Sequence, residues 1–333
     1  MLSINNLSVE FTVNNNSKDV QFLRAVNSVS LDIKQGETLA IVGESGSGKS
    51  QLFNAVMGLL PKNASVSGDI NFLDQPLLKL NTKQLNKIRG KEIGMIFQDP
   101  MTALNPYLRI GKQLTEVLAA HQDPQNRLDK KAIKALAIKI LERVQIKDAE
   151  QRFDSYPHEL SGGMRQRVVI AMALLCKPKL IIADEPTTAL DVTIQTEIIR
   201  LLKDIHTREN TSIVLITHDL PLVAGLCDRI AVMYAGRIVE MGTVDEIFKH
   251  PKHPYTQALL QATPQHSSQD KKQSSRMQAI DGSPPDPLNL PQGCAFNPRC
   301  TQVMDNCLEG QPPLKTSEDG HQYRCFLEVS ENG

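Results

Sequence analysis

Along the chain, short apolar runs alternate with stretches in which apolar residues recur at helical spacing. Residues Ile4 to Phe11 and Ala25 to Ile33 alternate apolar and polar positions, which predicts two antiparallel strands with Asn14-Asn15-Asn16-Ser17 looping between them. Thr38-Leu39-Ala40-Ile41-Val42 is short and β-branched and predicts a buried strand. Leu52, Val56, Met57 and Leu60 then recur at helical spacing. A β-like segment at Gly68 to Leu73 and a buried strand at Ile93 to Phe97 follow. From about 101 to 177 strand signals stop. Ile133, Leu136, Ile140, Leu141 and Val144 form one amphipathic stripe, so this stretch is expected to be a helical subdomain inserted into an α/β core. Alternation resumes with strands at Leu180 to Ala183, Thr211 to Thr217 and Arg229 to Met233, and helices at Val192 to Ile205 and Val244 to Lys249. Parallel strands joined by helices imply a sheet covered on both faces, with ligands at the carboxyl ends of its strands. Gln265 to Gln278, rich in Ser, Gln and Lys, reads as a mobile linker. The tail from Ile280 is rich in Pro and Cys and shows little regular pattern.

Length and charge narrow the choices. At 333 residues the chain exceeds one ordinary domain. Thirty-seven Lys and Arg balance thirty-seven Asp and Glu, so no basic field favours nucleic acid, and no nucleic-acid partner is expected. The longest apolar run, Val168 to Cys176, has nine residues, against roughly 20 for a bilayer span. The start, Met1-Leu2-Ser3-Ile4-Asn5, lacks the regions of a secretory signal, so a cytosolic chain is expected, reaching a membrane only through partners.

Chemistry concentrates at Gly43-Glu44-Ser45-Gly46-Ser47-Gly48-Lys49-Ser50, between a predicted strand and a predicted helix. That context makes G-x-x-x-x-G-K-[ST] a phosphate-binding loop. Its glycines let successive backbone N–H groups turn inward, and the helix adds the positive end of its dipole. Lys49 can reach the β- and γ-phosphates of a nucleoside triphosphate and the Ser50 hydroxyl can ligate Mg²⁺. Leu180 to Ala183 runs into Asp184 and Glu185, one carboxylate suited to Mg²⁺ and the other to polarising the attacking water. His218 closes the next predicted strand, on the same expected edge, where it can contact the γ-phosphate. Gln98 ends its own strand, placed to touch Mg²⁺ or the lytic water. In Leu160-Ser161-Gly162-Gly163-Met164-Arg165-Gln166-Arg167, Ser161 is a plausible helix cap, and the two glycines admit a second phosphate. Cys176 and Cys227 lie alone in apolar segments, while Cys294, Cys300, Cys307 and Cys325 crowd the C-terminal end. In a cytosolic chain such a cluster points to metal more than to disulfides, and four thiolates satisfy a [4Fe–4S] cluster and tetrahedral Zn²⁺ equally.

These motifs, with Ala189-Leu190-Asp191, occur in the order found in the ATP-binding cassette (ABC) ATPases, and the chain resembles that family from about residue 2 to 250. The resemblance implies an α/β P-loop NTPase core with an antiparallel β subdomain, an inserted helical subdomain and a Cys-rich C-terminal extension at 251–333. It implies a dimer that sandwiches two ATPs. Gly43 to Ser50 with Gln51, and Gln98, Asp184, Glu185 and His218, would serve one ATP. Ser161, Gly162, Gly163 and Gln166 would serve the partner's, with Asp191 at the seam. Phe11 would stack on adenine, with Phe22 as the alternative.

His250 to Tyr255, Gly282-Ser283-Pro284-Pro285 and Leu290 to Cys300 resemble the extension of peptide-importer ATPases. Gln51 and Phe97 to Pro106 look most like the oligopeptide permease ATPase, itself similar to the dipeptide and nickel versions. That likeness implies a [4Fe–4S] cluster on the four tail cysteines and a place on the cytoplasmic face of the inner membrane. It also implies a second ABC ATPase subunit, in a heterodimer or a homodimer, two transmembrane permease subunits and a periplasmic peptide-binding protein. An ABC ATPase acting on ribosomes or DNA is the reading from another class. It is disfavoured by a single cassette without coiled-coil or basic insertions.

Overall fold

The computed structural model describes residues 1–14, 20–122, 125, 127–188, 190–262 and 280–327. The expected linker at Gln265 to Gln278, most of the Asn-rich loop and Ala189 lie outside the described residues. In chain order the strands are β1 (Leu2–Asn14), β2 (Val20–Ile33), β3 (Thr38–Val42), β4 (Ala64–Phe72), β5 (Gln75–Pro76) and β6 (Ile93–Ile96). They continue as β7 (Leu180–Asp184), β8 (Ser212–Thr217), β9 (Arg229–Tyr234), β10 (Arg237–Thr243), β11 (Lys315–Thr316) and β12 (Gln322–Tyr323). These elements fold into two compact units, one of residues 1–33, 38–78 and 216–333, the other of residues 34–37 and 79–215.

The first unit holds an antiparallel sheet in the order β2-β1-β4-β5. Its two long strands outrun their expected bounds: past the register shifts near Leu7 and Val9, pairing runs unbroken from Glu10↔Arg24 to Asn14↔Val20. The same unit carries β11-β12-β10-β9-β3 as neighbours in a second sheet, with β3 and β9 parallel. Strand β10 is absent from the pattern reading. It returns on β9 through Ala235 and Gly236, both at positive φ (46° and 78°). A two-residue turn with both residues left-handed closes a hairpin, but Ala-Gly lacks the usual Asn-Gly or Asp-Gly signature. The tail has more order than its composition suggests. Lys315–Thr316 and Gln322–Tyr323 pair with each other, and the latter adds to β10 at Glu240 and Met241.

The second unit carries β8, β7 and β6, with β6 and β7 parallel and in register from Ile93↔Leu180 to Ile96↔Ala183. Around them run helices Ile110–His121, Lys130–Arg143, Gly162–Leu174 and Val192–Glu209. The stripe on Lys130–Arg143 buries Ile140 and Leu141, with Val144 just beyond, while Leu136 faces outward. Strand β7 is buried along its whole length, as a central parallel strand with both faces covered should be.

Candidate functional site

In the first unit, β3 runs into the loop Gly43 to Gly48 and the helix Lys49–Val56. Two positions there demand glycine. A Cβ on Gly43 would come within 2.1 Å of the Met233 carbonyl oxygen, and one on Gly48 (φ 98°) within 2.2 Å of the Ala25 carbonyl oxygen. The loop is thus pressed between β2 and the end of β9. The β9–β10 turn helps hold it, since Gly236 N–H donates to the Ser47 carbonyl at 3.0 Å. Lys49 is 5 % exposed, and its Nζ donates to the carbonyls of Gly43 at 2.7 Å and Glu44 at 2.8 Å. These bonds fix the ammonium against the loop. The buried Ser47 Oγ has no protein partner. Ser45 and Gly46 are exposed, and Ser50 and Gln51 are half-buried on the first turn of the helix.

Glu44, left unexplained by the motif, is held from the tail. Its N–H donates to Tyr255 Oη at 2.9 Å, and its carboxylate takes both prongs of the Arg299 guanidinium at 2.6 and 3.0 Å. The sequence placed Tyr255 and Arg299 only within segments resembling the importer extension and gave neither a partner, because the Arg299–Glu44 pair joins positions 255 residues apart.

Phe11 and Phe22 stand on opposite faces of their sheet. Phe11 opposes Leu23 and Thr12 opposes Phe22, so the two rings belong to successive pairs and alternate. Phe11 shares the face of buried Val9, whereas Phe22, 61 % exposed, shares the face of the Glu10–Arg24 ion pair. His218 follows β8 directly and is exposed.

In the second unit, β7 ends in buried Asp184, and Glu185 follows at φ 45°, a left-handed conformation that a non-glycine residue adopts at a cost. The Glu185 carboxylate accepts from Gln98 Nε2 at 3.0 Å and from Thr188 Oγ1 at 2.9 Å. Gln98 and Glu185 each lie two residues beyond the paired Ile96 and Ala183, so the parallel register brings them together. Thr188 went unnoticed in the sequence; its place three residues after Glu185 was the available signal.

Ser161 caps helix Gly162–Leu174, its Oγ accepting from Met164 N–H at 3.3 Å. Gly162 is exposed, and a Cβ there would meet nothing nearer than Leu190 at 3.8 Å. Gly163 is closed in by Ile194, 3.1 Å from its would-be Cβ. Gln166 lies one turn further in, 1 % exposed, with Nε2 unpartnered. Exposed Asp191 caps helix Val192–Glu209 through Ile194 N–H at 3.0 Å.

Cys294, Cys300, Cys307 and Cys325 are all free thiols in the first unit. Burial pushes the Cys294 thiol up to about 11, and the charges of Cys307, Cys325 and Cys300 add to the rise. Burial likewise raises Cys300 and Cys325, each of which also feels Cys307. The four thus lie within reach of one another's charge. Among the described residues, however, no group of three or more His, Cys, Asp or Glu stands at metal-holding spacing. Cys176 and Cys227 are also raised by burial, as isolated apolar thiols should be.

Comparison with known proteins bears on this arrangement. Residues 26–188 match the model of the ABC transporter family, and residues 239–307 match that of the oligopeptide/dipeptide transporter C-terminal region. The oligopeptide transport ATP-binding protein OppD of Haemophilus influenzae is 48% identical, over 98% of this chain and 97% of its own. The dipeptide transport ATP-binding protein DppD of Escherichia coli is 46% identical, over 100% of this chain and 98% of its own. Among solved structures, a dimeric, post-hydrolysis ATP-binding cassette bound to ADP and Pi superposes with a TM-score of 0.65. It is 28% identical and covers 73% of this chain and 99% of its own. Together with the phosphate loop in the first unit and the Gln98–Glu185 pair in the second, these likenesses show that the chain is a P-loop ATPase of the ATP-binding cassette transporter family.

Proposed function

We propose that this chain is the ATP-hydrolysing, energy-coupling subunit of a bacterial importer for oligopeptides, driving uptake across the inner membrane. The observation that carries hydrolysis is the Gln98–Glu185 hydrogen bond at 3.0 Å, which orients the carboxylate that must polarise the attacking water. Gly43 to Gln51 cradle the phosphates, Lys49 meets the β- and γ-phosphates and His218 contacts the γ-phosphate. The hard oxygen donors of Ser50, Gln98 and Asp184 suit Mg²⁺, which would offset charge gathering on the phosphoryl oxygens. Phe11 stacks on adenine, in keeping with its place on the face of buried Val9. Ser161, Gly162 and Gly163 take the ATP of a second ATPase subunit, with Asp191 at the seam. Gln166, one turn further into the helix with its Nε2 unpartnered, is taken with them for the same ATP. In this reading residues 1–250 form the nucleotide-binding domain, with its helical subdomain at about 101–177, and residues 251–333 the transporter-specific extension.

Membrane partners follow from the same reading. Among the described residues no helix is long and apolar enough to cross a membrane. Two transmembrane permease subunits would therefore anchor the chain at the cytoplasmic face of the inner membrane, fed by a periplasmic peptide-binding protein. Exposed Phe97, Met101 and Tyr107, the last 87 % exposed, offer an apolar landing for a cytoplasmic helix of a permease. The tail cysteines supply a four-thiolate donor set for a [4Fe–4S] cluster, or for Zn²⁺, that would tie the loops around Cys294, Cys307 and Cys325 into one lobe. Burial and the charges of Cys307, Cys325 and Cys300 raise the Cys294 thiol, and a bound cation would offset both. The identity to DppD keeps dipeptides as the second reading of the cargo.

The test is ATPase activity of the chain reconstituted with its permease subunits and partner ATPase, with and without peptide-loaded binding protein. Stimulation by the loaded protein, abolished by Glu185→Gln, is expected. Turnover indifferent to peptide would remove the import reading and leave the ATPase.

A further inference from the structure

Glu44 occupies a variable position of the phosphate loop, where a bare carboxylate would repel a triphosphate. It is not bare. Arg299, whose side chain is 4 % exposed, closes on it in a two-pronged ion pair, Nη1 to Oε2 at 2.6 Å and Nη2 to Oε1 at 3.0 Å. The remaining donors of the guanidinium are also placed. Nε reaches the Asp281 carbonyl at 2.9 Å, Nη1 the Tyr234 hydroxyl at 3.3 Å and Nη2 the Ile280 carbonyl at 3.4 Å. Phe296 and Tyr234 lie under the plane, each ring centroid 5.9 Å from Cζ. Such a planar fork, satisfied on every side, holds its partner in one orientation in a way an ammonium could not.

The contact continues into the loop. Glu44 N–H donates to the hydroxyl of fully buried Tyr255, and the Glu44 carbonyl accepts from Lys49 Nζ at 2.8 Å and from Ser47 N–H at 3.2 Å. A line of bonds therefore runs from Arg299 through one residue to the ammonium that meets the phosphates. Its outer end lies one residue before Cys300. Every member belongs to the same compact unit.

We propose that Arg299 is a positioning residue for ATP: by neutralising and orienting Glu44 from the cysteine-bearing tail, it sets the phosphate loop and Lys49 for the triphosphate. Tyr255 assists by holding the same residue's N–H. Arg299 touches no substrate; it acts through Glu44. The inference rests on reading Gly43 to Ser50 as the ATP site, and wild-type chain that neither binds nor hydrolyses ATP would remove that reading before this one is tested.

The experiment measures MgATP affinity by calorimetry and steady-state ATPase on the full chain in its reconstituted transporter, for wild type, Arg299→Gln, Glu44→Gln, the double variant and Tyr255→Phe. Arg299→Gln should raise KM for ATP about tenfold with kcat within about twofold, the signature of lost binding rather than lost chemistry. Removing the uncompensated carboxylate should rescue it, so the double variant should lie nearer wild type than Arg299→Gln does. A merely structural ion pair would lower the unfolding temperature without moving KM, in Arg299→Gln and in the double variant alike. KM within twofold of wild type in folded Arg299→Gln, or no rescue in the double variant, would overturn the proposal. Should Arg299→Gln not fold, Tyr255→Phe decides: it keeps the packed ring and should raise KM about threefold, and an unchanged KM would overturn the proposal equally.

Discussion

Gln98 Nε2 donates to Glu185 Oε2 across 3.0 Å, although the residues stand 87 apart in the chain. Parallel pairing of β6 and β7 places both two residues beyond matched positions. The amide restrains the carboxylate, and Thr188 Oγ1 donates to the same oxygen at 2.9 Å. Gln98→Ala should therefore loosen the Glu185 carboxylate, which keeps its bond from Thr188 Oγ1. We expect kcat to fall by about 100-fold, the lower end of what a placed proton-transfer group contributes, with ATP affinity changed much less. Single-turnover hydrolysis beside equilibrium binding separates the two, and an equal loss in both would place Gln98 in binding instead.

Gly48 turns the chain into its helix at φ 98°, with the Ala25 carbonyl where a Cβ would go. Gly48→Ala combines a disfavoured backbone conformation with a steric clash. The expected cost is about 1–3 kcal/mol of stability, together with an ATP affinity at least tenfold weaker. Chemical denaturation and nucleotide titration of the same preparation check both.

Burial holds His253 well below an ordinary imidazole, at about 4 against 6.5, with Glu240 opposing the shift. Its hydrogen bonds tie the segment together: the backbone N–H donates to Glu240 Oε2, and Nδ1 accepts from Tyr255 N–H. An unfolded chain takes up the proton near pH 6.5, the folded chain only near 4. Stability is thus complete above 6.5 and is lost as pH falls towards 4, by about 3 kcal/mol at the limit. Denaturation at pH 7.5 and 4.5 should show most of that loss in wild type and a smaller one in His253→Gln. An equal loss in both would assign the acid sensitivity to other groups.

Four thiols within one another's electrostatic reach make a metal content measurable. Chain purified without oxygen should carry about four iron and four sulfide, as a [4Fe–4S] cluster requires, and Cys307→Ser should lose them along with thermal stability. About one zinc and no iron would select the tetrahedral alternative. Neither metal would remove the metal reading of the tail.

Much of the site was legible in the chain itself because its signals are local. A strand, a glycine turn and a helix within Thr38 to Val56 announce phosphate binding through spacing alone, and the Asp184-Glu185 strand end and the Ser161-Gly162-Gly163 cap are equally short-range. The same locality explains the misses. Strand β10 follows a turn of Ala235 and Gly236, whose left-handed pair no common dipeptide advertises. The tail's β12 has two residues and gains its partner only from β10.

Three decisions belonged to the tertiary structure. Register alone joined Gln98 to Glu185, and register alone set Phe11 and Phe22 on opposite faces, a choice that residue type left open. Packing alone brought Arg299 and Tyr255 onto Glu44, across 255 and 211 residues. By itself the sequence determined which chemical groups this protein carries and the short elements that present them, since spacing and backbone preference act over a few residues. Which groups meet, and so how the carboxylate and the phosphate loop are held, depended on strand pairing and burial between distant segments, whose free energy no local pattern records.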